Sequence, residues 1–262
     1  MLKRSAVIIT LFFFLQKHVL VMINEKPSFI KRLFRRILKI IIYGFILSLL
    51  YLVICKWIMP PITLIQIGSL ISGYGLKRDY VSWNDISANA KLAAISGEDQ
   101  LFPVHNGFDW KAISKSLDND PSKNGRAAGA AASTISQQTA KNVFLFQGEG
   151  ILRYIRKPLE AVYTKLIEWI WGKQRILEVY LNTAEMGKGV FGIEAASQKY
   201  FHKPAKSLSR NEAALIIACL PNPKIYTVVP QSRFVSWKSK WILRQMNNMQ
   251  GDKHVHDLIY KK

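Results

Sequence analysis

The chain has 262 residues and a formal charge of +20, and 49% of its residues are hydrophobic, which excludes global disorder. A basic excess of this size suits nucleic acid, an anionic membrane surface or a phosphorylated substrate. No nucleic-acid recognition motif accompanies it, so a nucleic-acid partner is not expected. The two cysteines, Cys55 and Cys219, lie in apolar stretches and read as buried free thiols.

Residues 1–36 form a basic segment, and residues 1–57 hold ten Lys or Arg against one acid, Glu25. Residues 5–15, SAVIITLFFFL, resemble a signal-peptide core, and Met22 is an alternative start of translation. Residues 37–59 are expected to cross a membrane. They contain the uncharged run IIIYGFILSLLYLVIC from Ile40 to Cys55, and they reach the roughly twenty residues a bilayer needs. Lys39 and Lys56 suit the two interfaces, Tyr51 and Trp57 suit an interfacial belt, and Pro60-Pro61 stops the helix. The cluster Lys26, Lys31, Arg32, Arg35 and Arg36 places the N-terminal flank in the cytoplasm and the remainder on the other side.

Residues 60–85 read as a linker with turn signals at Gly68, Gly73 and Gly75. From residue 86 to 250 the periodicity is helical and strand alternation is scarce, so this domain is expected to be mainly α. Its first helix is expected to start near Ile86 with Asp85 as N-cap. Further helices are expected at about 134–142, 158–171, 173–182, 192–200, 210–220 and 234–248. Thr134-Ile-Ser-Gln137 and Ser209-Arg-Asn-Glu212 read as capping boxes, and Pro158 suits a first helical turn that places Glu160 near the helix N-terminus. The apolar stretch Val143–Ile155 suits either internal packing or contact with lipid, and residues 251–262 read as a tail.

Three clusters carry polar chemistry: Gly97–Asp109, Ser133–Asn142 and Arg156–Glu160. Each has a structural explanation when taken alone, as a solvated helix end, a polar helix face or a helix start. Together, two separated carboxylates (Glu98 and Glu160) with Lys, Arg, hydroxyl and amide groups suggest sugar chemistry on a phosphorylated substrate. One carboxylate is needed to take a proton from an incoming hydroxyl. A diphosphate leaving group is served by cations or a metal rather than by a protonating acid.

These residues resemble the biosynthetic peptidoglycan glycosyltransferases, and most closely the monofunctional transglycosylases. The motif ED-x-x-F-x-x-H-x-G-x-D is matched at Glu98, Asp99, Phe102, His105, Gly107 and Asp109. A second motif is matched at Ser133, Thr134, Gln137, Gln138, Lys141 and Asn142, and a third, RK-x-x-E, at Arg156, Lys157 and Glu160. A fourth runs from Arg175 to Asn182, then Gly187, Gly192, Ala196, Tyr200 and Phe201, and a fifth from Ser209 to Leu215. One departure stands out: the glycine expected two places before Ser133 is Ala131, within the alanine-rich stretch Gly125–Ala132.

The resemblance implies a lysozyme-like glycosyltransferase domain over residues 86–250. The implied activity is inverting polymerisation of lipid II on an undecaprenyl-diphosphate-linked glycan, at the outer face of the inner (cytoplasmic) membrane. Glu98 and Glu160 are implied as catalytic residues. Ser133, Thr134, Gln137, Gln138, Lys141, Asn142, Arg156 and Lys157 are implied to bind substrate, with Arg153 as a further cation. Asp99, Phe102, His105 and Asp109 are implied to support the site. A divalent cation, Mg or Mn, is an optional partner of the diphosphate, and its ligands are not specified by the motifs. Other cell-wall synthesis or division proteins are the protein partners such an enzyme would meet. Two rivals share parts of this pattern: a lytic muramidase with a catalytic glutamate, and a non-catalytic scaffold. A bifunctional penicillin-binding protein is disfavoured, because no K-T-G is present and only about fifty residues follow the last motif.

Overall fold

The computed structural model describes residues 29–118, 133–148 and 150–261. Ala131, the alanine-rich stretch around it, Met22 and the apolar run at residues 5–15 lie outside the described residues. The chain divides into two compact units, Met1–Tyr51 and Leu52–Lys262.

The first unit supplies most of helix α1 (Phe29–Ile54), whose 26 residues are long and apolar enough to cross a membrane. It starts earlier and ends earlier than the expected span of residues 37–59. Only 6% of its most apolar window is buried by protein, the opposite of a soluble core helix.

The second unit begins with the last turn of α1, where Leu52 and Cys55 are buried. There the Trp171 indole donates to the Leu52 carbonyl at 2.8 Å, and Arg175 donates twice to the Cys55 carbonyl at 3.1 and 2.9 Å. These side chains satisfy carbonyls that a helix end otherwise leaves unpaired.

The stretch expected to be a linker carries structure of its own. Helix α2 (Leu64–Ile71) is closed by a Thr63/Gln66 capping box, and Gln66 and Ser69 are buried. Strand β1 (Lys77–Arg78) and a 3-10 turn at Trp83–Asp85 follow. Asp85 therefore belongs to that turn, and the N-cap of helix α3 (Ala88–Glu98) is Ser87, whose hydroxyl accepts from the Ala90 N–H at 3.0 Å.

Helix α3 is buried from Ala90 to Ser96, so it is a central helix with almost no polar face. Its small residues allow close approach by its neighbours. A Cβ at Gly97 would lie 3.0 Å from Ile217 and 3.1 Å from Ile242. Around it stand α7 (Lys173–Thr183), α9 (Arg210–Ala218), α10 (Arg233–Met249) and α11 (Lys253–Tyr260). Helix α11 lies in the expected tail, where Val255 and Ile259 are buried.

Helix α4 (Trp110–Asp118) follows the first motif, and α5 (Ile135–Phe144) carries the second. Helix α5 packs on α7 and on α6 (Ile151–Ile170). Helix α6 begins well before Pro158, which sits inside it rather than in its first turn. Proline has no N–H for the Tyr154 carbonyl, but Tyr154 is exposed and water can serve that carbonyl instead. The apolar stretch before it divides: Val143 and Leu145 are buried, whereas Ile151, Leu152, Tyr154 and Ile155 are exposed.

Strands β2 (Glu185–Gly187) and β3 (Val190–Phe191) complete a small sheet of order β1-β3-β2. The β1–β3 pairing is parallel and the β2–β3 pairing antiparallel. Helix α8 (Ile193–Phe201) then leads to α9, whose Ser209/Glu212 capping box forms as its sequence indicates.

Candidate active site

Glu98 is the last residue of α3, where the helix meets the first motif. Its Oε2 accepts a hydrogen bond from Gln138 Nε2 on α5 at 3.0 Å. Burial pushes its carboxyl above the usual glutamate value. The Gln138 bond and the positive charges of Lys238 and Lys141 oppose that rise, and the negative charge of Asp99 adds to it. Lys238, on α10, also donates to the Gly97 carbonyl at 3.5 Å.

Behind Glu98 the first motif is tied into a buried web. Asp99 accepts from the Ile135 N–H at 2.9 Å and bonds His105 Nε2 at 2.8 Å. The Gly107 N–H lies 3.0 Å from His105 Nδ1, and a backbone N–H can only donate. His105 Nδ1 is therefore the acceptor, and Nε2 carries the proton given to Asp99. Gly107 holds φ at +91°, and a Cβ there would lie 2.8 Å from Thr164, so only glycine fits.

Phe102 is fully buried with its ring edge-on to His105, and Lys173 lies 4.6 Å over the Phe102 ring. Lys173 also pairs with Glu168 at 2.6 Å, and Glu168 accepts from the Ser136 hydroxyl. Burial lowers the pKa of Lys173, and Glu168 opposes this. Asp109 caps α4 by accepting from the Ala112 N–H at 2.9 Å. Asp99, Phe102, His105 and Asp109 thus all have structural partners.

The second motif splits between architecture and cleft. The Thr134 hydroxyl accepts from the Gln137 N–H at 3.1 Å and donates to the Gly107 carbonyl at 2.7 Å. The Gln137 side chain returns to the Thr134 N–H at 3.0 Å. This capping box joins the first and second motifs while engaging both side chains. Gln138 faces Glu98, and Ser133 offers its carbonyl 3.5 Å from Gln138 Nε2. Asn142 is buried on the same helix.

Lys141 feels the charge of both carboxylates. Burial lowers its pKa, as do Arg156 and Lys157, while Glu160 and, more weakly, Glu98 raise it. Glu160 itself is held by cations: Lys157 Nζ lies 2.7 Å from its Oε1 and Arg156 Nε 3.4 Å from its Oε2. Arg156 also donates to the Phe146 carbonyl at 2.9 Å. Arg153 stands one turn earlier on α6.

Among the described residues no group of three or more His, Cys, Asp or Glu is placed to hold a metal. Glu160 Oε2 is buried without a hydrogen bond but faces Arg156 Nε at 3.4 Å, so a metal there would have to take the place of that guanidinium. One carboxylate oxygen with substrate phosphate oxygens and water is a donor set that fits magnesium.

The fourth motif frames the domain. Glu178 accepts from the Trp83 N–H at 2.8 Å and from Arg175 at 2.7 Å. Asn182 exchanges hydrogen bonds with the Val81 backbone at 2.9 and 3.0 Å. Tyr180, between them in sequence, is fully buried and donates to Gln138 Oε1 at 3.3 Å. Tyr180, Lys238, Glu168 and Lys173 were not singled out from sequence. Tyr180 lies within a motif that was recognised, whereas Lys238 is one cation among several on a basic amphipathic helix.

The domain is thus mainly α and sets two unlike carboxylates, Glu98 and Glu160, among Lys and Arg side chains. Residues 66–247 match the family model described as transglycosylase, and the chain belongs to that family. A biosynthetic peptidoglycan transglycosylase of Mannheimia succiniciproducens is 52% identical over 176 residues, 67% of this chain and 70% of that protein. Another, from Pseudomonas fluorescens, is 40% identical over 235 residues, 87% of this chain and 95% of that protein. One from Escherichia coli is 51% identical over 179 residues, covering 68% and 72%.

Proposed function

We propose that this chain is a peptidoglycan glycosyltransferase that polymerises lipid II. The observation that carries this reading is the contrast between Glu98, half-buried beside a neutral amide, and Glu160, buried and clamped by Arg156 and Lys157. Family membership and the names of the relatives support it.

Glu98 accepts the proton of the acceptor GlcNAc 4-hydroxyl as that oxygen attacks C1 of the donor MurNAc from the opposite face. The O4–C1 bond forms, the C1–O bond to the diphosphate breaks, and its electron pair leaves with undecaprenyl diphosphate. The product is a β-1,4 linkage with inversion at C1. A base whose pKa is raised toward the working pH accepts the proton more readily than an ordinary carboxylate. Lys141, Arg156 and Lys157 neutralise the departing charge, the arginine as a fork and the lysines as point charges. Ser133, Gln138 and Asn142 offer polar contacts to the sugars, while Thr134 and Gln137 hold their helix in place. A divalent cation at Glu160 would supply further neutralisation of the diphosphate.

Helix α1 anchors the enzyme in the cytoplasmic membrane as a single pass, with the N-terminus cytoplasmic and the catalytic domain on the outer, periplasmic side. The basic flank ahead of α1 supports that orientation. Anchoring keeps the active site beside a substrate that cannot leave the bilayer.

Purified full-length protein is expected to consume labelled lipid II and extend glycan, and Glu98→Gln is expected to lose this. Cleavage of finished peptidoglycan without lipid II consumption would establish a lytic muramidase instead. A Glu98→Gln protein that polymerises at the wild-type rate would overturn the assignment of the base.

A further inference from the structure

Glu98 is served by an amide, and an amide has two ends. Gln138 can present either its NH2 group or its carbonyl oxygen to a carboxylate, and only the first favours the ionised form that a base needs. At the NH2 end the Ser133 carbonyl, 3.5 Å from Gln138 Nε2, already favours the first orientation, and a donor at the other end reinforces it. Helix α7 supplies that contact: the Tyr180 hydroxyl reaches Gln138 Oε1 at 3.3 Å, and Gln138 Nε2 reaches Glu98 Oε2 at 3.0 Å. Three helices, α7, α5 and α3, thus meet in one line of hydrogen bonds from a phenol through an amide to a carboxylate.

We propose that Tyr180 is a positioning residue for catalysis: by donating to Gln138 Oε1, it locks the amide with its NH2 group toward Glu98 and so sustains the ionised base. This rests on the reading of Glu98 as the base.

The surroundings suit such a relay. Tyr180 is fully buried, and Gln138 Oε1 gains a donor that it would otherwise lack on that side. Burial holds the phenol well above its ordinary value, so it remains a neutral O–H donor throughout the working range. The charged and titratable groups around Glu98 come from several neighbouring helices. Asp99 follows it directly, Lys141 stands on α5 and Lys238 on α10. Cys219, at the end of α9, also senses Glu98, and burial pushes its thiol up to about 12, so it stays neutral. Lys141 and Lys238 act on Glu98 through charge and set the level about which the relay works. Tyr180 acts through orientation, and it engages Oε2 only indirectly, leaving Oε1 of Glu98 for the acceptor hydroxyl.

The test is the pH dependence of lipid II polymerisation by the full-length protein in detergent or vesicles. Tyr180→Phe removes one hydroxyl and keeps the ring. It should move the acidic limb of kcat/KM upward by about half a unit to one unit. It should also lower kcat by about tenfold while leaving KM within about twofold. Incorporating 3-fluorotyrosine at position 180 keeps the fold's shape and makes the phenol a stronger donor, so the limb should move downward. In a Gln138→Met background, the Tyr180→Phe change should add no further shift, since the element that transmits it is gone.

A purely packing role for Tyr180 moves thermal stability but neither limb. An acidic limb that stays in place with 3-fluorotyrosine, or shifts that simply add in the double variant, would overturn the proposal. The Glu98→Gln protein separates the two layers. If it is inactive while the Tyr180 substitutions leave the limb unmoved, the relay fails and the base assignment stands. If it polymerises normally, the base assignment fails and takes the relay with it.

Discussion

Glu98 and Glu160 are the same residue in opposite environments. Glu98 closes a central, nearly apolar helix and meets one neutral donor, Gln138, at 3.0 Å. Glu160 lies within α6 among cations, with Lys157 at 2.7 Å and Arg156 at 3.4 Å. A half-buried carboxylate with a neutral neighbour is poised to accept a proton. Glu160, between two cations, serves as their counter-ion. In the proposed mechanism identical side chains take different tasks because their surroundings differ, and Lys141 feels the charge of both.

The sharpest way to break this comparison is to neutralise each carboxylate in turn. Glu98→Gln should reduce lipid II turnover by about a thousandfold, in the range that general-base catalysis contributes. Glu160→Gln removes the counter-ion from two cations, one of them buried, so it should lower thermal stability as well as kcat/KM. We expect a loss of activity of about ten- to a hundredfold, because the cations that meet the diphosphate are misplaced rather than removed. Equal losses from the two substitutions, with stability unchanged in both, would mean that the environments do not separate the roles.

A smaller effect sharpens the same contrast through pH. Because burial raises the Glu98 pKa, the ionised base is lost as pH falls through a value above the ordinary carboxylate range. The acidic limb of kcat/KM in the wild type should therefore lie above the ordinary glutamate position. Glu160→Gln should leave that limb close to its wild-type position, since Glu160 is not among the charges that act on Glu98. A limb at an ordinary carboxylate value, or one that moves strongly with Glu160→Gln, would assign the titration to another group.

The sequence made the Glu160 side of this comparison easier to read than the Glu98 side, because Lys157 and Arg156 stand three and four residues before Glu160. The capping boxes at Thr134 and Ser209 are local, since the box needs only residues three apart, and both formed as read. The same signature at Thr63 and Gln66 went unread because the glycines around it suggested a linker, and α2 was missed with it. Pro158 misled for the same reason that boxes inform: its local preference is for a first turn, but α6 carries on through it. The partners around Glu98 are long-range. Tyr180 lies 42 residues from Gln138, and the Lys238 donor lies 141 residues from Gly97. Spacing along a chain carries no sign of such contacts, so the motifs marked which residues matter without showing which touch.

The smallest effect belongs to the hinge between the first two motifs. Thr134 caps α5 and ties it to the loop after Glu98 through the Gly107 carbonyl at 2.7 Å. Thr134→Ala removes both bonds and leaves a buried carbonyl without its donor, a loss of about 1–2 kcal/mol. In a folded unit of this size that is a fall in melting temperature of about 2–8 °C, measurable on the full-length protein in detergent. Thr134→Ser keeps the oxygen and should recover most of it. The position of α5 sets where Gln138 meets Glu98, whereas the Lys157–Glu160 pair is contained within α6. Activity lost in Thr134→Ala should therefore appear in kcat and in the acidic limb rather than in KM. If KM rises while the limb stays fixed, the cap supports substrate contacts on α5 and does not set the base.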